Sequence, residues 1–162
     1  ASSENGIPKT PPYSHTPPDA LSINWAGQIK RAEVFASSLG EPEPIENLKK
    51  QEEFEKELKK TATQVEQETR RIIASAQLIM QAELSSELFA KFTQDAEERL
   101  GAILSGINFS LNDLFAKWRS LEEPRDTMIA DVNSERRNFA RGVPAFASWM
   151  NGKMRGYRLQ VN

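Results

Sequence analysis

The chain contains no cysteine and only one histidine among its 162 residues. Without cysteine, disulfide bonds and thiolate chemistry are excluded. Because His15 is the sole imidazole, the histidine pairs of zinc hydrolases and the paired Glu-x-x-His motifs of di-iron bundles are excluded as well. His15 also lies in a run of prolines, where no neighbouring element would orient it as a general base. We therefore expect a protein that is not an enzyme and that uses no metal or cofactor.

Glycine-rich loops and long apolar runs are also missing. No stretch matches the loops that hold phosphate in Walker-type or Rossmann-type sites. No run approaches the roughly 20 apolar residues that cross a bilayer, so we expect no membrane span. Adjacent carboxylates, such as Glu52 with Glu53 or Glu97 with Glu98, point to different sides of a helix and are typical of a solvated surface. The chain thus offers few of the residue patterns that catalysis needs.

Charge is unevenly distributed, although the net charge is only −2. Residues 41–116 carry 9 basic and 15 acidic side chains, whereas residues 117–162 carry 9 basic and 5 acidic ones. Most of the C-terminal excess follows Ser134. A basic block of this kind can contact phosphate or an acidic protein surface. The candidate contacts to an anionic partner are Arg136, Arg137, Arg141, Arg155 and Arg158.

Two interpretations of this basic block stay open. With Trp149 and Tyr157 nearby, basic and aromatic side chains together can hold a nucleic-acid strand. Alternatively, the arginines pair with the acidic middle of the chain while the aromatic residues pack in the core. We favour the second interpretation, because no nucleic-acid-binding signature accompanies the block.

The spacing of apolar residues predicts long helices. Asp19 would cap a first helix over residues 19–39, whose apolar face steps by three and four residues. Residues 45–100 contain no Gly and no Pro. We expect mainly one second helix over 45–105, with a break near Leu84–Ser86 as the alternative. Its heptad-like seam consists of Phe54, Leu58, Ala62, Val65, Thr69, Ile72, Ala76 and Ile79. Such a seam predicts coiled-coil packing against another helix.

The C-terminal third predicts further helical segments. Ser110, three residues before an acid, resembles a capping box and begins a predicted helix over 110–141. Pro124 would kink that helix or split it in two, and Gly142 would end it. A short amphipathic helix would follow over 144–154.

The predicted fold class is therefore all-α. We expect an elongated antiparallel helical bundle of about three long helices, the third of them kinked. The bundle would occupy residues 19–162, and an extended proline-rich segment, residues 1–18, would precede it.

This opening segment contains the motif TPPYSHTPP, in which two Thr-Pro-Pro units flank Tyr13 and His15. Proline fixes φ and pushes the preceding residue into an extended conformation, so little entropy is lost when the segment docks. The candidate partner contacts are Pro11, Pro12, Tyr13, His15, Pro17 and Pro18. The segment can lie along its own bundle or bind another protein, and the sequence does not separate these alternatives.

A TPPY…TPP segment that leads into long charged helices resembles the N-terminal receptor-binding region of S-type pyocins, the colicin-like bacteriocins of pseudomonads. The resemblance implies binding of an outer-membrane TonB-dependent transporter, with the prolines and Tyr13 forming the contact ridge. It also implies that the chain is a fragment of a longer protein, without its killing domain, which is released from the producing cell. No TonB-box pattern accompanies the segment.

The sequence thus favours a non-enzymatic protein-binding module, the receptor-binding fragment of a bacteriocin. A structural or assembly protein, such as a secretion-system helical adaptor, is the alternative. A nucleic-acid binder that uses the basic C-terminal region ranks third.

Overall fold

The computed structural model describes residues 18–40, 51–123 and 125–161, with side chains described from Trp25 onward. This part of the chain forms four α-helices and no strand: α1 (Pro18–Gly40), α2 (Gln51–Gln81), α3 (Ser86–Trp118) and α4 (Asp126–Val161). The all-α prediction is confirmed, but the count of about three long helices is wrong. At 1.5 Å per residue, α4 alone is about 54 Å long, so the bundle is elongated.

Helices α2, α3 and α4 alternate in direction. Phe54, at the start of α2, packs edge-on against Trp118, at the end of α3, with ring centroids 5.6 Å apart. Gln77, near the end of α2, bonds to Thr93, near the start of α3, so these two helices are antiparallel. Helix α4 then runs parallel to α2. Arg136, in the first half of α4, pairs with Glu57, near the start of α2, and Arg158, near the end of α4, pairs with Glu83 in the turn after α2.

Helix α1 covers the side of α2 and α4 that faces away from α3. The indole of Trp25 donates a hydrogen bond to the amide oxygen of Asn151 in α4, at 3.0 Å. The guanidinium of Arg31 forms two 3.2 Å bonds with Glu68 in α2. Within the described residues, α1 contacts α2 and α4 but not α3. The seam between α2 and α4 is therefore the centre of the molecule.

The predicted seam of α2 lies in this centre. Every seam position is buried except Ala62, which is partly buried. The seam hydroxyl of Thr69 donates to the carbonyl of Val65 at 2.7 Å, so its burial leaves no donor unsatisfied. The largest fully buried side chains are Trp118, Phe54, Phe92, Phe146, Leu58, Met80, Leu100, Met128, Met150 and Met154.

The predicted single helix over 45–105 is two helices. The chain turns at residues 82–85, where the amides of Glu83 and Leu84 both donate to the carbonyl of Met80. Ser85 then caps α3, because its hydroxyl accepts the amide hydrogen of Leu88 at 3.2 Å. This turn folds α3 back along α2, so the two helices pack antiparallel.

The predicted boundary at Ser110 is also wrong. Helix α3 passes through Gly106 and Ser110 without interruption and ends at Trp118. The apolar residues on either side of the expected turn, Ile107 and Leu111, lie one turn apart on the buried face. Burial of that continuous stripe outweighs the weak helix propensity of glycine, about 1 kcal/mol.

The predicted kink near Pro124 is a connection between α3 and α4, since residues 119–123 and Arg125 are not helical. Pro124 itself lies outside the described residues. The predicted stop at Gly142 does not occur, because α4 continues through Pro144 to Val161.

Burial also explains this continuity. Phe139 and Val143 lie before Pro144, Phe146 and Met150 lie after it, and all four are buried. Their burial offsets the cost of an internal proline, about 3 kcal/mol.

Candidate functional site

The proline-rich candidate contacts fall almost entirely outside the described residues. Pro11, Pro12, Tyr13, His15 and Pro17 all lie in residues 1–17, which the structure does not describe. Pro18 is the first residue of α1, one position earlier than the predicted start. Proline suits the first turn of a helix, where its missing N–H removes no bond. Residues 1–17 therefore lead directly into the bundle.

Two of the five candidate arginines face the acidic helix α2. Arg136 lies 3.6 Å from the carboxylate of Glu57, and only 12% of its side chain is exposed. Arg158 forms two bonds to Glu83, at 2.6 and 2.9 Å. The bond to Glu83 raises the pKa of Arg158 further above its ordinary value. For these two residues, the interpretation that the basic block pairs with the acidic middle of the chain is confirmed.

The other three candidate arginines lie on the solvent side of α4. Arg137, Arg141 and Arg155 are exposed, and among the described residues none of them pairs with a carboxylate. Arg141 donates only to the amide oxygen of Asn138, at 3.3 Å. We call their surface the α4 outer face; it consists of Ser134, Arg137, Arg141, Ala145, Ser148, Gly152 and Arg155, all exposed.

The α4 outer face is long and smooth. From Arg137 to Arg155 it extends about 27 Å along the helix axis. Between the arginines lie only small side chains, and a Cβ added at Gly152 would meet no atom within 4 Å. Helix α4 has no acidic residue after Glu135, so this face combines unpaired positive charge with easy access for a second backbone.

Trp149 lies beside this face and is only partly buried. The cationic groups of Arg99 and Lys153 each lie 5.6 Å from the indole ring centroid, and Phe146 packs against it at 5.5 Å. Trp149 thus packs between α3 and α4, as the favoured interpretation of the block predicts. A groove of about 510 Å³ runs past Trp149 and Tyr157.

Three polar side chains join α3 to α4 in this groove. The hydroxyl of Tyr157 donates to Asp95 at 2.7 Å, and the ammonium of Lys153 lies 3.7 Å from the same carboxylate. Burial, together with the bond to Asp95, raises the pKa of Tyr157 to about 12. A raised pKa makes the phenol a poorer acid at neutral pH, so the arrangement suits a structural bond better than proton transfer.

Among the described residues, no three acidic or histidine side chains come together as a metal site would require. None of the helices in this part of the chain is apolar over enough of its length to cross a membrane.

Sequence reasoning missed a second surface, on the solvent side of α3. We call it the α3 outer face; it consists of Gly101, Ala102, Ser105, Phe109, Asn112 and Ala116, all exposed. At its centre the Phe109 side chain is 74% exposed. The sequence does contain a sign of this surface, because residues 100–112 include no charged residue although 27% of the chain is charged. The predicted break between the helices over 45–105 and 110–141 falls in this stretch, so the surface was not recognised.

Searches for a matching protein family, a similar curated protein and a similar solved structure found none. The two outer faces and the N-terminal segment therefore carry the functional argument.

Proposed function

We propose that the protein is a non-enzymatic protein-binding module and that the α4 outer face is a contact surface. One observation carries the proposal: the basic residues of α4 divide into two groups. Arg136, Lys153 and Arg158 pair with carboxylates of α2, α3 and the turn between them, whereas the three arginines of the outer face have no acidic partner among the described residues. Positive charge that the fold does not use favours an external partner bearing carboxylates.

The partner that this surface fits best is a protein with an acidic helix or extended segment. Ala145, Ser148 and Gly152 let another backbone approach closely, and the arginines offer forked donors that match carboxylates. Nucleic acid is less suitable, because the neighbouring Trp149 already packs against Arg99 and Lys153 and the chain carries a net negative charge.

The more specific proposal is the receptor-binding fragment of a bacteriocin. It rests on the resemblance of the TPPYSHTPP motif to S-type pyocins, and it assigns the contact ridge to residues 11–18. Binding to outer membranes from pseudomonads tests it. We expect the chain to bind, and a chain that lacks residues 7–17 to bind at least about tenfold more weakly. Equal binding by the two chains would contradict the assignment.

A structural or assembly role is the second candidate. The α3 outer face favours it, because an exposed phenylalanine in a charge-free stretch is typical of a helix that contacts another protein.

Photo-cross-linking tests the α4 outer face directly. A photoreactive side chain at Ser148, between the arginines, should form an adduct with a protein when the chain is added to an extract of the organism that encodes it. Ala74 is exposed on α2 and serves as the matched control position. An adduct from Ser148 but not from Ala74 supports the proposal. Nucleic-acid adducts, equal adducts from both positions or no adduct would overturn it.

A further inference from the structure

The α3 outer face presents one large side chain and little else. Phe109 is 74% exposed, and the exposed positions around it are Ala102, Ser105, Gly106, Asn108, Asn112 and the acidic Asp113. A phenylalanine loses roughly 150 to 250 Å² of accessible surface when it is fully buried. The Phe109 side chain therefore projects from a surface that otherwise consists of smaller side chains.

A groove opens beside Phe109, between the middle of α3 and the middle of α4. Its volume is about 350 Å³, within the range of small-ligand sites. Its walls combine the apolar side chains of Ile103, Ile107 and Phe139 with the polar side chains of Ser110, Glu135 and Asn138, and Gly106 also lines it. A Cβ added at Gly106 would meet no atom within 4 Å, so the missing side chain keeps this part of the groove open.

We propose that a second copy of this chain occupies the α3 outer face, with the two α3 helices antiparallel. The inference is independent of the proposed partner of α4. In a twofold dimer the same surface must supply both halves of each contact. The α3 face meets this condition, because Phe109 of each copy can enter the groove beside Gly106 of the other.

The charges that flank the face agree with the antiparallel arrangement. Pairing Phe109 with Gly106 of the second copy places the twofold axis between Ile107 and Asn108. The same axis pairs Glu98 with Lys117 of the second copy, since the two lie equally far from it along the helix. Both are exposed. A parallel arrangement would instead bring like charges together.

The occupant is a second copy and not an unrelated partner, because the face contains no charge between Leu100 and Asn112. A different protein would need a charged or polar group on this face to recognise it specifically. A second copy needs none, because Phe109 of one copy can enter the groove of the other. The contact covers only about five helical turns, so we expect a reversible dimer of modest affinity.

Sedimentation equilibrium on the full chain, from about 5 to about 500 µM, tests the proposal. We expect a monomer–dimer equilibrium whose dissociation constant rises at least about tenfold in Phe109→Ser. Leu78→Ser and Leu159→Ser are matched controls, because these leucines are 72% and 76% exposed on other helices. Neither control should change the equilibrium.

Two further variants separate the interface from a folding defect. Gly106→Ala adds a Cβ at the groove that meets no atom within 4 Å inside the monomer, so it should weaken the dimer while its melting temperature is unchanged or higher. Ser105→Cys introduces the only thiol of the chain, next to the twofold axis, and a short thiol-reactive cross-linker should trap it as a dimer. A monomer at every concentration, or a dimer that Phe109→Ser leaves intact, would overturn the proposal.

Discussion

The hydroxyl of Tyr157 joins the end of α4 to the start of α3 through its 2.7 Å bond to Asp95. Its ring also packs edge-on against Phe92, with centroids 5.6 Å apart. The ring contributes apolar burial, while the hydroxyl contributes a bond to a charged acceptor, which is stronger than a bond between neutral groups. Tyr157 therefore joins α3 to α4 through both an apolar contact and a hydrogen bond.

Replacing Tyr157 with phenylalanine should lower the free energy of unfolding by about 1 to 2 kcal/mol at neutral pH, because the ring stays and only the bond is lost. The effect should depend on pH. The folded-state pKa of about 12 lies above the ordinary value of 10.0, so the native state retains the proton. The bond's contribution is complete below pH 10 and is lost as the pH rises towards 12.

Denaturant unfolding at several alkaline pH values measures this dependence. The difference in unfolding free energy between the wild type and Tyr157→Phe should shrink as the pH rises through this window. A difference that is constant across it would show that the hydroxyl contributes nothing.

Arg158 gives a second test at this scale. Its forked bonds to Glu83 tie the end of α4 to the turn after α2. Arg158→Lys keeps the charge but loses the fork, and we expect a loss of about 0.5 to 1 kcal/mol in unfolding free energy, because both side chains are partly exposed. Arg155→Lys, at an exposed position without an acidic partner, is the matched control and should leave thermal unfolding unchanged. Equal effects of the two substitutions would contradict the assignment.

At the scale of the element, α2 is the helix that the sequence predicts best. Its seam repeats every three or four residues, and the periodicity reports directly which face is buried. Val65, near its middle, has no exposed surface. Val65→Asp would bury an unpaired charge and should lower the free energy of unfolding by about 3 to 5 kcal/mol. Leu78→Asp, at a position that is 72% exposed on the same helix, should change it by less than about 0.5 kcal/mol.

Thermal or denaturant unfolding of both α2 variants checks this difference. If Val65→Asp left the protein as stable as Leu78→Asp, α2 would not be the central helix.

The ends of helices are predicted less well than their faces. The turn after α2 contains neither Gly nor Pro, and the capping hydroxyl of Ser85 has no acid three residues later. Conversely, Gly142 and Pro144 suggest a stop inside α4, but buried residues on both sides keep the helix intact. Local signals fail in both cases because tertiary packing decides where the chain turns.

The candidate sites show the same limit. The sequence identified the basic block as a set of residues, but it could not say which arginines the fold uses. Arg136 and Arg137 are neighbours, yet one faces α2 and the other faces solvent. The division depends on how α4 is rotated in the bundle, which only the packed structure determines.

The exposed glycines of α4 provide a test of the open face. Gly152→Ala should raise the free energy of unfolding by about 0.5 to 1 kcal/mol, because alanine favours the helix and the added Cβ meets no atom within 4 Å. Thermal unfolding measures the change. A clear loss of stability would mean that this face is closed by packing that the described residues do not show.

Across the whole molecule, α4 carries a net positive charge, with six basic and three acidic side chains, whereas α2 and α3 are each net negative. Part of that charge holds the bundle together, and part of it remains on the α4 outer face. Together with the α3 outer face, this leaves two chemically distinct surfaces, one cationic and one apolar. We propose that the cationic surface binds a protein partner and that the apolar surface binds a second copy of the chain.

The proline-rich segment would add a third contact. Deleting residues 7–17 keeps Pro18 as the start of α1 and should leave the melting temperature nearly unchanged. If the segment binds a partner, the deletion should weaken that binding by at least tenfold, about 1.4 kcal/mol, and Tyr13→Ala should reproduce much of the loss. A marked fall in melting temperature with intact binding would instead identify the segment as a strap on its own bundle.

The most direct test of the central claim is a calorimetric titration of the protein partner that Ser148 cross-links. The titration compares the wild type with a variant in which Arg137, Arg141 and Arg155 are all replaced by Gln. The control replaces Arg31, Arg70 and Arg71, which are exposed but pair with glutamates, by Gln as well. We expect the outer-face variant to bind at least about tenfold more weakly than the wild type, with unchanged helix content. The control variant should bind within about threefold of the wild type. Equal affinity of the outer-face variant and the wild type would contradict the central claim.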